Sequence, residues 1–223
     1  MATSAILLEL FQMVSINSFQ QMEFMINNVN NQKSELRAKI RAALEKISPA
    51  VRAVESIELG ERLNTQLPSA HTILFFAPLP DELDVWPVLE LSLALGTTCA
   101  LPFFDAEKKT YGAREIKKLA TDIVTGKFGV REPAASCAEI PLERFDLVLV
   151  PGMAFDLIGN RLGRGRGVYD RLLQSVSGVK CGVCYDLQLL ENIPTEPHDA
   201  KVDFILTPAK SINARRNLRN TGG

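Results

Sequence analysis

"FDLVLVPGMAFDLIGNRLGRGRGVYDRLL" (Phe145–Leu173) is the stretch on which the architecture turns. Its first seven residues are almost continuously apolar, which is the mark of a strand buried on both faces rather than of one facing water. Its last part, Gly167 to Ser177, reads as a helix. Between them lie glycines at 163, 165 and 167 and arginines at 161, 164 and 166. Each glycine carries a large loss of backbone entropy on ordering, so glycine alternating with arginine is an expensive loop to fold. A glycine-rich loop that leaves a strand and opens a helix brings unpaired N–H groups close to a ligand, and that favours an anion such as phosphate. Arg164 and Arg166 add forked donors matched to phosphate oxygens. The competing reading is a surface turn with solvated arginines. No GxxxxGK[ST] and no GxGxxG is present, so the loop is neither of the two common nucleotide fingerprints.

The same strand–loop–helix alternation extends in both directions. "TILFFA" (Thr72–Ala77), "TTCALP" (Thr97–Pro102), "KCGVCY" (Lys180–Tyr185) and "VDFILTP" (Val202–Pro208) read as buried strands, and Leu83–Leu95 as an apolar helix. Phe103 to Ala138 mixes short strands, turns and loop. Lys33–Ile47 is an amphipathic helix with Leu36, Ile40, Leu44 and Ile47 at helical spacing. Its cations Lys33, Arg37 and Arg41 follow at i, i+4, i+8 beside the apolar row, where they would rim a cleft at the helix–body junction. The expectation is a single-domain, three-layer α/β/α fold with a mostly parallel central sheet. Ligands in such sheets bind beyond the carboxyl ends of the strands. The informative loops are therefore 78–84, 151–167 and 185–199.

The bulk numbers narrow the class. With 223 residues, 46% hydrophobic, 23% charged and a formal net charge of −1, the chain reads as a globular protein without a general nucleic-acid-binding surface. Residues 1–32 hold no Lys or Arg and only two acids, Glu9 and Glu23. They lack the features of a secretory or transit signal, and "AILLELFQMV" is too short to span a bilayer. They are expected to be a poorly docked extension, with the functional domain at 33–208 and a frayed polar tail at 209–223. Of the four cysteines, Cys181 and Cys184 form a CxxC. Three apart on a strand they face opposite ways, and no second pair completes a zinc site. A reduced, cytoplasmic protein is the expectation.

Asp170 sits just inside the helix after the glycine loop. There it serves either as a dipole-stabilised cap or, beside a polyphosphate, as a ligand for Mg²⁺. Asp199 precedes the final strand at the same edge, and Glu82 and Asp84 follow another strand. His71 and His198 have no serine or cysteine partner in sight, so positioning and charge neutralisation suit this chain better than covalent catalysis.

These residues resemble a known family, the 5-formyltetrahydrofolate cyclo-ligases or methenyltetrahydrofolate synthetases. Their signature runs roughly PGxxFDxxGxRLGxGxGYYDRxL after a strand. "KSELR", "PDELD", "REP" and "HDAKVDFILTP" resemble the family's flanking motifs in the right order, so the resemblance covers about Lys33 to Pro208. It implies an ATP- and Mg²⁺-dependent conversion of 5-formyltetrahydrofolate to 5,10-methenyltetrahydrofolate by a monomer, with ATP as co-substrate and no nucleic acid or membrane as partner.

Carried over, Lys33 and Arg37 would contact ATP phosphates. Arg161, Leu162, Gly163, Arg164, Gly165, Arg166, Gly167, Val168 and Tyr169 would form the nucleotide loop. Arg37, Ala77, Glu82 and residues Arg164–Val168 would face the folate, and Asp170 and Asp199 would hold the metal. Arg164 and Arg166 are the candidates for the catalytic role. Two positions depart from the family pattern: Val168 replaces the first of two tyrosines, and Phe128 stands where some members carry tryptophan. Two alternatives stay open at this stage. One is a non-catalytic nucleotide- or folate-binding relative; the other is a sugar-phosphate isomerase or CoA-transferase-like enzyme, since related layered folds host different chemistries.

Overall fold

The computed structural model describes residues 25, 27–66, 69–126 and 129–220. Phe128 and most of the 1–32 extension lie outside them. Helix α1 covers 27–44, so it begins before Lys33: the last residues of the supposed extension continue the amphipathic helix. A second helix, α2 (Pro49–Gln66), follows after a short turn. The chain then runs through β1 (Thr72–Leu74), α3 (Trp86–Ala94), β2 (Thr98–Asp105), β3 (Thr110–Ile116), the single turn α4 (Leu119–Asp122), β4 (Ile123–Thr125), β5 (Arg131–Pro133) and β6 (Glu139–Ile140). It continues with β7 (Leu147–Pro151), β8 (Ala154–Asp156), β9 (Arg161–Leu162), α5 (Val168–Leu172), β10 (Val179–Val183), β11 (Leu189–Leu190), β12 (Phe204–Leu206), β13 (Ser211–Asn213) and α6 (Ala214–Asn220).

The main sheet has the order β13-β12-β10-β7-β1-β2-β3-β6. Its five central strands, β12 to β2, are parallel, and β13, β3 and β6 are antiparallel additions at the two edges. The expected mostly parallel α/β architecture is the one observed. From β1 the chain moves outward to β2, then returns across β1 to β7 on its other side. Strand order therefore reverses between β1 and β7, and a crevice opens beyond their carboxyl ends.

Side chains alternate between the two faces of the sheet. Ile73, Cys99, Leu101, Leu147, Leu149 and Cys181 pack with Ile40, Leu44, Leu59, Leu63 and Leu89, contributed by α1, α2 and α3. Leu74, Ala100, Val148, Val150 and Ile205 face the other way, against Phe145, Leu172, Leu173 and Val176. Burying each of these leucines contributes about 1.5–3 kcal/mol, so the fold rests on the two apolar layers. Cys181 and Cys184 lie in opposite layers, and all four cysteines are free. Burial pushes the Cys181 thiol up to about 12 and the Cys184 thiol well above its ordinary value, as expected of inert core cysteines.

Several boundaries differ from the expectations. The apolar helix starts at Trp86 rather than Leu83, with Pro87 in its first turn and the Asp84 carboxylate accepting the Trp86 N–H at 2.9 Å. The helix after the glycine loop stays α-helical only to Leu172 and tightens to a 3₁₀ turn through Ser175. Within the segment expected to fray, residues 209–220 carry regular structure: Ser211–Asn213 pairs antiparallel with β12, and Arg215 Nε donates to Asp203 at 2.6 Å; residues 221–223 lie outside the described residues. No described helix is long and apolar enough to cross a membrane.

Candidate functional site

The loops after β1, β7 and β10 meet at the crevice. The β7 loop first makes a small three-stranded sheet, β11-β8-β9. Asp156 fixes its turn by accepting from the N–H groups of Ile158 and Asn160 and from the Asn160 amide. The glycine–arginine segment follows. Gly165 and Gly167 have φ of +94° and +62°, values that a side chain would strain, and Gly167 directly precedes α5.

Four of the cations expected to meet phosphate, Lys33, Arg37, Arg161 and Arg164, are held by an acid or carbonyl of the same site. Lys33 is buried, and its Nζ donates to Glu196 at 2.8 Å and to Asp199 at 2.5 Å. Arg37 Nε donates to the Gly163 carbonyl at 2.8 Å, tying α1 to the loop. Arg161 is buried and donates to Asp170 at 2.7 Å and to the Pro151 carbonyl at 3.3 Å. Its Nε is buried and has no hydrogen-bond partner among the described residues, and its guanidinium lies 5.6 Å from the Tyr169 ring centre. Arg164 donates to Asp81 at 2.6 Å and to Glu82 at 3.0 Å. Arg166 is exposed, its carbonyl accepting from Arg171 at 3.1 Å. Arg41, third in the cationic row of α1, is exposed, so only Lys33 and Arg37 of that row face the crevice.

The remaining candidates fill in the walls. Leu162 is buried in the core, while Gly163, Val168 and Tyr169 are half-buried. Tyr169 packs against both apolar layers, and its phenol is raised by burial, with the Glu82 charge adding to the effect. Ala77 is half-buried after β1. Glu82 has a side chain only 9% exposed and accepts the Leu79 N–H at 3.0 Å as well as Arg164. Burial raises its pKa, and Arg164 and the Leu79 N–H only partly offset the effect. Burial also pushes the Asp170 carboxyl up, but Arg161 and the Ala200 N–H outweigh it and hold it below the ordinary carboxylate value. Burial would lower the Arg164 pKa; Asp81 and Glu82 reverse that and raise it.

Several contributors went unnoticed in the sequence. Glu196, in "TEPHD", shares Lys33 with Asp199; its spacing from Asp199 in one loop was the available signal. Glu196, His198 and Asp199 place one ligand atom each within 4.8 Å of one another, a donor set that fits a divalent cation. Asp170 approaches the same loop through the Ala200 N–H. Tyr185 Oη donates to the Glu82 carbonyl at 3.3 Å, and Arg52 donates to Tyr185 Oη at 3.4 Å. Arg52 also donates to the Leu44 and Ile47 carbonyls, so one side chain connects the end of α1 to the Glu82 turn. Gln188 staples the base of the β7 loop by donating to the Gly152 and Met153 carbonyls at 2.9 and 3.0 Å. A cleft of about 820 Å³ runs outward from Glu82 between α2, α3 and residues 129–131.

The site therefore contains buried cations, one of them an arginine whose Nε has no partner among the described residues, a Glu196–His198–Asp199 cluster whose ligand atoms could take a divalent ion, and a ligand-sized cleft with a buried acid. Comparison with known proteins gives a consistent result. Residues 29–208 match the family model described as the 5-formyltetrahydrofolate cyclo-ligase family. The chain is 34% identical over 191 residues to the 5-formyltetrahydrofolate cyclo-ligase of Mycolicibacterium smegmatis, covering 82% of this chain and 97% of that one. It is 30% identical over 167 residues to the enzyme of the same name from Escherichia coli K12, covering 69% and 90%. Its structure is similar to the NMR structure of Aquifex aeolicus 5,10-methenyltetrahydrofolate synthetase, with a TM-score of 0.74, 32% identity and coverage of 82% and 93%.

Proposed function

The chain belongs to the 5-formyltetrahydrofolate cyclo-ligase family, and from that footing we propose that it closes 5-formyltetrahydrofolate to 5,10-methenyltetrahydrofolate, consuming Mg·ATP and releasing ADP and phosphate. The observation that supports the ATP-dependent reading best is Arg161. It is a buried guanidinium whose Nε–H has no partner among the described residues, beside a glycine loop at the point where strand order reverses. A buried donor without an acceptor is costly, and a phosphate oxygen would satisfy it.

In this reaction the formyl oxygen is a poor leaving group. The γ-phosphoryl group passes to it, ADP leaves, and the formyl carbon becomes an iminium phosphate. N10 of the folate then attacks that carbon and gives up its proton, and the C–O bond breaks to release inorganic phosphate. Such a transfer needs alignment and charge neutralisation rather than a protein nucleophile. Lys33, Arg37, Arg161, Arg164 and Arg166 would contact the phosphates and neutralise their charge. Glu82 accepts N–H donors of the pterin, and Ala77 leaves room for the ring. Asp170 and Asp199 would hold Mg²⁺, with Glu196 and His198 beside Asp199. The ion neutralises phosphate charge when bound.

Binding would then be an exchange of partners: Lys33 and Arg161, now paired with Asp199 and Asp170, would turn to phosphate and leave those carboxylates available to a metal. Arg164 similarly leaves Glu82 free for the pterin. The test is turnover with ATP or Mg²⁺ omitted in turn, and with Asp170→Asn. We expect one ADP per methenyl product, no product without either component, and loss of Mg²⁺-dependent turnover in the variant. Product formed without ATP would refute the proposal, and unchanged activity of Asp170→Asn would return Asp170 to a helix-capping role.

A further inference from the structure

Arg131 stands apart from the other cations of the site. It lies at the start of β5, exposed, on the lining of the 820 Å³ cleft whose inner end carries Glu82. Its guanidinium lies 5.1 Å from the Trp86 ring centre, and no acid pairs with it among the described residues. The cleft's other arginine, Arg52, is already committed to the Leu44 and Ile47 carbonyls and Tyr185 Oη. The acids on the same lining, Glu61 and Asp84, repel an anion from the rest of the rim. An arginine placed over an indole still presents forked donors matched to a carboxylate.

A folate whose pterin is held at Glu82 must send its other end outward along this cleft. That end carries the glutamate carboxylates. We infer that Arg131, shelved on Trp86, is the specificity residue that receives the substrate's glutamate carboxylate. The inference rests on the folate reading of the Glu82 site. A single partly solvated carboxylate–guanidinium contact is worth about fivefold in affinity.

The test compares kcat/KM for 5-formyltetrahydrofolate with that for 5-formyltetrahydropteroate, which lacks the glutamate, in the wild type, Arg131→Gln and Arg131→Lys. The wild type is expected to prefer the glutamate-bearing compound. Arg131→Gln is expected to lower that preference about fivefold, and Arg131→Lys to leave an intermediate ratio, because it keeps the charge but loses the fork. A preference ratio unchanged in Arg131→Gln overturns the assignment, whether both substrates weaken together or neither does. If the wild type turns over neither compound, the folate reading itself fails. If it turns over both, that reading stands and the ratio alone judges Arg131.

Discussion

Replacing Lys33 by methionine removes one charge and keeps most of the buried stem. In the wild type the Lys33 side chain is 4% exposed, and the Glu196 and Asp199 carboxylates it joins are 15% and 13% exposed. Removing one partner of a buried ion pair costs about 3–5 kcal/mol, because the other charge remains buried and unpaired. Here both carboxylates keep some access to water, which places the loss near 3 kcal/mol. Methionine fills a similar volume, so little cavity cost is added. With a urea slope of about 3 kcal/mol/M for a chain of this size, the unfolding midpoint falls by about 1 M.

The two carboxylates left behind, with His198, form the donor set for a divalent cation. Mg²⁺ at tenfold excess over its Kd then returns about 1.4 kcal/mol to Lys33→Met. The wild type, with Lys33 in place, gains much less. Urea unfolding of both proteins, with and without Mg²⁺ and without nucleotide, measures all four values. A midpoint for Lys33→Met equal to the wild type would refute the energetic reasoning. An equal Mg²⁺ gain in the two proteins would refute competition between Lys33 and the metal for Asp199.

Other perturbations probe separate parts of the site. The raised Glu82 and lowered Asp170 predict that, as pH falls, the folate KM rises while Asp170 is still ionised, so nucleotide binding persists to lower pH; KM profiles for both substrates check the order. In stability the signs oppose. The Asp170 contribution is present above its unfolded pKa and is lost as pH falls through its folded value, whereas Glu82 favours the folded state when protonated and costs stability as pH rises through its raised value. Tyr185→Phe removes the hydroxyl bond to the Glu82 carbonyl and is expected to raise the folate KM about two- to fivefold with the ATP KM unchanged; an equal rise in both would mean a general loss of structure. Gly159→Ala places a Cβ 2.2 Å from the Val202 carbonyl oxygen at a φ of +84°, and is expected to lower the melting temperature by about 6–12 °C, measured by circular dichroism.

What the sequence made legible follows from how local each signal is. The strand at 147–151, the glycine loop and the helix at 168 are contiguous, and the apolar run and the glycines declare them. The Arg161–Asp170 pair belongs to that same unit, nine residues apart. Lys33 and Asp199 are 166 residues apart and meet only because Ile40 and Leu44 pack α1 onto one face of the sheet. Helix α2 escaped notice because Val51, Val54 and Ile57 are exposed while Leu59 and Leu63 are buried, so apolar residues mark both of its faces and blur the period. The edge strand β13 reads as polar because one side of it faces water. Its backbone pairing with β12 holds it there, with Ile212 packed on the apolar layer and Ser211 Oγ donating to Gln66 at 2.9 Å.

The central claim is that ATP activates the formyl oxygen for ring closure. Its most direct test uses 5-formyltetrahydrofolate carrying ¹⁸O in the formyl group, incubated with the protein and Mg·ATP, with the methenyl product followed by its near-ultraviolet absorbance and the released phosphate by mass spectrometry. The account predicts one ¹⁸O atom in each phosphate released, in step with methenyl formation. Methenyl product accompanied by unlabelled phosphate, or no product with ATP binding intact, would contradict it.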